Sequence, residues 1–176
     1  MPSPATTSAA PLVVEAFSSG TFQRPAAWAV WTPNEHLPLV SGPLLYLSTE
    51  PLLATCAVTP GASPNPPDAQ GLACQWPLQR LRPDGVFVEA YTTRILVQQP
   101  SAGESTTVNG EPARLRVDRP GDCAAIGGEE TIDLLIPIGQ YGHGSNVALE
   151  ACLRGPDLVT SEAQVRAMVA SMSGLR

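Results

Sequence analysis

Apolar and polar positions alternate over much of this chain, and turn-forming residues cut the alternation at short intervals. A period of two places one set of side chains on each face of a half-buried strand. PLVVEAF (11–17) reads as a strand, broken by Ser18-Ser19-Gly20. Ala27 to Thr32 (AWAVWT) alternates again and sets Trp28 opposite Trp31. Short apolar runs follow at Leu44 to Ser48 and Leu52 to Val58, on either side of Glu50-Pro51. Gly85 to Val97 (GVFVEAYTTRILV) is the strongest strand signal, rich in β-branched and aromatic residues and preceded by a Pro-Asp-Gly turn. Asn109-Gly110 marks a hairpin between TTV and ARLRV. Thr131 to Ile138 and Val147 to Leu153 are two further strands, joined by GQYGHGSN (139–146). The pattern predicts about eight strands.

The period changes once. After Gly155-Pro156, Val165, Met168, Val169 and Met172 recur at helical spacing and form one apolar stripe. Ser161 with Gln164 three residues on has the capping-box spacing, and Gly174 is the expected stop. A helix with such a stripe must bury it against the sheet. The predicted fold is therefore α+β, an antiparallel sheet with one C-terminal amphipathic helix packed on it. The alternative is a β-sandwich with a peripheral helix. Residues 1–11, rich in Ser, Thr, Ala and Pro, read as a flexible linker, and 12–176 as a single domain.

Cysteines add a second layer. Cys56, Cys74, Cys123 and Cys152 have no metal-ligand spacing, and only His36 and His143 could join them around zinc. An even count fits a disulfide framework in an oxidising compartment. Of three connectivities, 56–74 and 123–152 are favoured, since each closes a loop within one half of the chain. Each bridge is worth roughly 3 kcal/mol in the chain-entropy model. Free thiols in a cytoplasmic protein are the alternative. The start, MPSPATTSAAP, has neither a positive n-region nor an apolar h-region, so the chain shows no leader of its own. No stretch approaches the roughly 18 apolar residues of a membrane span.

Charge excludes more than it suggests. The net charge is −6, all ten basic residues are Arg, and the charged fraction is 15%, against about 25% in typical domains. An acidic chain lacks the basic face that neutralises phosphates, so nucleic acid is not an expected partner. Arg114, Arg116 and Arg119 form a small basic cluster, with 114 and 116 on one face, expected to be solvated. Without lysine there is no Walker A phosphate loop. No cofactor or metal is implied.

VNGEPARLRV (108–117), PGDCAAIGGEETIDLLI (120–136) and EACLRGPDLVTSEAQVRAMVASM (150–172) together resemble a type of extracytoplasmic domain found in actinobacterial lipoproteins and membrane-anchored proteins. In that type a strand ending in a Cys-Leu-Arg-Gly-Pro-like turn leads into a final helix. The absence of lysine beside abundant Ala, Pro, Gly and Arg fits a GC-rich genome of that kind. The resemblance implies an extracytoplasmic location and an α+β fold. It carries no catalytic residues.

Several groups could carry chemistry. The loop 139–146 holds three glycines with Tyr141, His143 and Ser145; glycines let backbone N–H groups approach a ligand, and His143 titrates near neutrality. A hydrolase using His143 and Ser145 is one reading of it, although Gly-His-Gly-Ser-Asn is not a nucleophile-elbow motif. A water-exposed hairpin loop is the plainer one. Trp28, Trp31 and Trp76 either stack on a ligand or partner, or fill the core. Glu129, Glu130 and Asp133 could hold calcium or run acid–base chemistry, but acidic residues at the start of a strand usually face water. Glu89 and Arg94 lie in the strongest strand at opposite parity, and whichever is buried needs a partner. The leading expectation is a non-enzymatic extracytoplasmic domain that binds a protein or a cell-envelope component. A small secreted hydrolase and a cytoplasmic ligand-binding or assembly subunit are the alternatives.

Overall fold

The computed structural model describes residues 11–17, 20–32, 41–52, 77–93, 103–137 and 146–175. Cys56, Cys74, His36, Trp76, Arg94, Tyr141, His143 and Ser145 lie outside the described residues, so the 56–74 bridge and the 139–146 loop, apart from Asn146, do too.

Nine strands and one α-helix make up the described part. In chain order they are β1 (Leu12–Phe17), β2 (Gly20–Pro25), β3 (Ala29–Trp31), β4 (Ser41–Ser48), β5 (Val86–Thr93), β6 (Glu104–Val108), β7 (Glu111–Asp118), β8 (Glu130–Pro137), β9 (Asn146–Leu153) and α1 (Leu158–Ala170). A 3-10 helix, Gly121–Ile126, separates β7 from β8. β1 and β2 form a separate antiparallel hairpin. The other seven strands form one antiparallel sheet in the order β3-β4-β5-β9-β8-β7-β6. The α+β expectation holds; the seven strands lie in one sheet, so the sandwich alternative does not.

Period-two patterning decides which face each residue serves. Leu45 and Leu47, Val86 and Val88, Leu149 and Ala151, and Ile132 and Leu134 all point to one side. There they meet Val165, Met168, Val169 and Met172, the predicted stripe of α1, together with Phe22 of β2 and Trp28. Each buried Val, Leu, Ile, Phe or Met among them contributes about 1.5–3 kcal/mol on full burial. Trp28, 5% exposed, is thus a core residue. The β1–β2 hairpin is tied to the end of α1 by a backbone pair between Thr21 and Ser173.

Turn chemistry explains the joints. Asn109 and Gly110 both have positive φ, as a two-residue I′ hairpin requires. Gly155, at φ 120°, precedes α1, and a Cβ there would overlap the backbone of Asp84. The α1 cap differs from expectation. Asp157 is the N-cap, and its carboxylate accepts from the Thr160 N–H at 3.2 Å. The helix therefore starts one turn before the predicted capping box, and Ser161 is buried inside it. It ends at Ala170 with Ser171 as C-cap, ahead of Gly174. Asp presents its side-chain oxygen here because the chain has just turned at Gly155-Pro156, which fixes the start earlier than Ser161.

The opposite face of the sheet is covered at one end. The 3-10 helix and residues 77–81 lie over it, packing Leu78, Leu81, Cys123 and Ile126 against Tyr46, Phe87 and Cys152. Cys123 and Cys152 are bonded, with an S–S distance of 2.02 Å. Arg154 reinforces the same corner by donating to the Leu81 carbonyl at 2.6 Å. Among the described residues no helix is long and apolar enough to cross a membrane.

Candidate functional site: a row of carboxylates across the sheet

Just beyond the disulfide, that second face changes character. Strand pairing sets six side chains side by side across six strands: Trp31 opposite Tyr46, Tyr46 opposite Glu89, Glu89 opposite Glu150, Glu150 opposite Asp133, and Asp133 opposite Arg116. Directly opposed residues have Cβ atoms about 4.5–5.5 Å apart, so each stands beside the next. Three carboxylates are therefore consecutive, with aromatic rings at one end and a guanidinium at the other. Tyr46 is buried, and Trp31, Glu89, Glu150, Asp133 and Arg116 are half-buried.

The aromatic end is rigid. The Trp31 and Tyr46 rings stack with centroids 5.3 Å apart, and Tyr46 stacks in turn on Phe87 at 5.9 Å. The Tyr46 hydroxyl donates to the Glu89 carboxylate. Burial raises the pKa of that phenol, and the nearby Glu89 charge raises it further. At the other end Arg116 donates to Asp133 Oδ2 at 2.8 Å and reaches Asp118 at 2.9 Å. These partners raise the guanidinium above its ordinary value, the Asp133 hydrogen bond first among them.

The middle of the row is the unusual part. Burial pushes Glu89 up to about 7, against an opposing pull from the Tyr46 hydrogen bond. Glu150 is also pushed up to about 7, first by burial and then by the charges of Asp133, Glu89 and Asp122. One oxygen of Glu150, Oε1, is shielded from solvent and has no hydrogen-bond partner. Asp122 of the 3-10 helix adds its negative field from above. Tyr91, two residues along β5 from Glu89, is likewise raised, by burial and by the same carboxylates.

A metal is a natural thought at such a place. Cys123, Glu150 and Cys152 bring ligand atoms within 4.8 Å of one another. The two sulfurs are bonded to each other, however, and a disulfide offers no thiolate to a metal.

Sequence-predicted residues are distributed as follows. Trp31 joins the site, Trp28 does not, and Tyr141, His143 and Ser145 lie outside the described residues. Arg114 and Arg116 share a face as expected, but Arg116 is ion-paired rather than merely solvated. The acidic group at 129–133 splits three ways. Glu129 is exposed, Asp133 belongs to the row, and Glu130 turns to the opposite face with its side chain 0% exposed. The expectation that this group faces water fails for Glu130 because strand alternation points it inward, where Arg119 reaches it at 2.7 Å. Glu150 was not singled out by sequence reasoning. Its signal was present: a single carboxylate inside an otherwise apolar strand, VALEACL, matching the single Glu89 inside GVFVEAY. No protein-family model and no curated protein matches the chain.

Proposed function

We propose that this chain is a non-enzymatic, extracytoplasmic domain that binds a protein partner through the face bearing Trp31, Tyr46, Glu89, Glu150 and Asp133. The observation that carries this reading is the row itself, in which three neighbouring carboxylates meet a single guanidinium beside a stacked Trp–Tyr pair. Stacked aromatics give a rigid apolar contact area of the kind that anchors interfaces. Adjacent half-buried carboxylates favour a partner that brings positive charge, such as an Arg or Lys side chain. The Cys123–Cys152 bridge supports an oxidising location, in keeping with the resemblance to envelope-anchored domains.

Affinity capture from a cell-envelope extract tests the reading. The wild-type domain is compared with a Glu89→Gln/Glu150→Gln/Asp133→Asn variant and with Val159→Ser, a change on the exposed side of α1. One protein should be held by the wild type and by Val159→Ser, and released by the triple variant. Equal retention by all three removes this face from the interaction.

A further inference from the structure

We propose that Glu89 and Glu150 work as one proton-holding unit, a carboxyl–carboxylate pair across the β5–β9 ladder whose proton is given up when the face becomes fully charged. The geometry comes first. The two residues are directly opposed in register, so their side chains stand side by side on the same face. Neither has a cation of its own among the described residues, since Arg116 is spent on Asp133 and Asp118. Glu150 Oε1 is out of solvent without a donor, and a buried acceptor in that state is costly unless a proton or donor meets it. A proton placed on one carboxyl can be donated to the other, satisfying two acceptors at once.

The surroundings act in the same direction. From β4, Tyr46 donates to Glu89; from β5, Tyr91 stands one position along the face. From β8, Asp133 adds a negative charge to Glu150, and from the 3-10 helix Asp122 adds another. From β7, Arg116 offsets part of this through Asp133 and Asp118. Both glutamates are accordingly displaced toward neutral pH. Glu89 and Glu150 are directly opposed, and the Glu89 charge acts on Glu150; carboxyls coupled across a ladder lose their protons in steps that belong to the pair. The state of the pair is also wired to the aromatic end, because Glu89 holds the Tyr46 hydroxyl and Tyr46 stacks on Trp31. Proton loss leaves three adjacent charges under the row and favours a partner's cation in place of the proton. As a regulator of binding the device rests on the reading above; as a proton site it is measured on the domain alone, so the two fail separately.

The experiment is a pH titration of the disulfide-intact domain, labelled with carbon-13 at the glutamate carboxyl and followed by NMR. Wild type, Glu89→Gln, Glu150→Gln, Asp133→Asn and the exposed control Glu129→Gln are compared. Expected in the wild type are two carboxyl signals that titrate near neutrality, each sensing both steps. Glu89→Gln should weaken the proton affinity of Glu150 about tenfold and make its curve single-step, Asp133→Asn should weaken it at least as much while leaving the two-step form, and Glu129→Gln should change nothing. Near-UV circular dichroism of the Trp31–Tyr46 stack should follow the same midpoint and lose that transition in Glu89→Gln, which removes the titrating group that holds the Tyr46 hydroxyl. Wild-type glutamates that all titrate in the ordinary carboxylate range overturn the proposal. So does a Glu150 midpoint that Glu89→Gln leaves unmoved, since burial alone would then account for it.

Discussion

Arg119→Ala isolates the energetics of a half-hidden ion pair. The Arg119 side chain is 66% exposed, whereas Glu130, which it holds at 2.7 Å, is 0% exposed. A pair judged by its arginine would be a surface salt bridge worth about 0.2–1 kcal/mol. A pair judged by its carboxylate is a buried one, and removing the partner of a buried charge costs about 3–5 kcal/mol. The second description applies, because Glu130 Oε1 already has no partner and the guanidinium is what meets Oε2 through both Nε and NH2. Truncation therefore leaves a carboxylate in the core with neither oxygen compensated. The expected loss is about 3–5 kcal/mol, or a fall in Tm of roughly 6–20 °C at about 2–4 °C per kcal/mol. Urea unfolding with the disulfide intact measures it, and the m-value should not change. Adding Glu130→Gln to Arg119→Ala should recover more than half of the loss, since a neutral amide needs far less compensation than a charge. A loss below 1 kcal/mol for Arg119→Ala refutes the reasoning, because Glu130 would then have found water.

Other perturbations have equally direct readings. Glu89 and Glu150 have folded pKa values of about 7, above the ordinary 4.5, so their charged forms oppose folding. Stability should be highest below about pH 4.5 as far as this pair is concerned, and fall as pH rises to about 7 by about 1–3 kcal/mol, allowing for coupling and partial exposure. Glu150→Gln should flatten that slope in chemical unfolding, and an unchanged slope contradicts the assignment. Replacing both Cys123 and Cys152 with Ala should cost about 2–4 kcal/mol and expose residues 121–126 to amide exchange before the rest of the sheet. Gly155→Ala should cost about 1–3 kcal/mol from the positive φ alone, with more from the clash at Asp84, whereas Asp157→Ala should cost only about 1 kcal/mol as a lost cap. Equal effects at 155 and 157 would mean that the turn relaxes.

Legibility in the sequence followed the range of the interactions. Local features were readable. Asn109-Gly110 announces its own turn, the apolar stripe of α1 is one helix face, and Cys123 and Cys152 sit in adjoining elements of one half. β2 escaped because GTFQRP carries a Gly, a Pro and a charge, and only pairing with β1 and the burial of Phe22 make it a strand. The 3-10 helix at GDCAAI is too short for a period to show. The site escaped for a topological reason. Glu89 and Glu150 lie far apart in the chain, and β9 inserts between β5 and β8 in the sheet. Their opposition depends on the register of one ladder whose two strands are separated in the chain by β6, β7 and β8. A lone Glu in each of two apolar strands says that both need a partner; it does not say that they are each other's.

The most direct test of the binding face is site-specific photo-crosslinking in the native host. A photoreactive phenylalanine derivative replaces Trp31 at the end of the row, or Val159 on the far side of α1, and the cells are irradiated before lysis. If the row is where a partner sits, the probe at 31 yields one dominant protein adduct, absent from the probe at 159 and lost when Glu89→Gln and Glu150→Gln are added. Adducts of the same pattern from both positions, or none from position 31 in a folded and disulfide-bonded domain, would contradict the account.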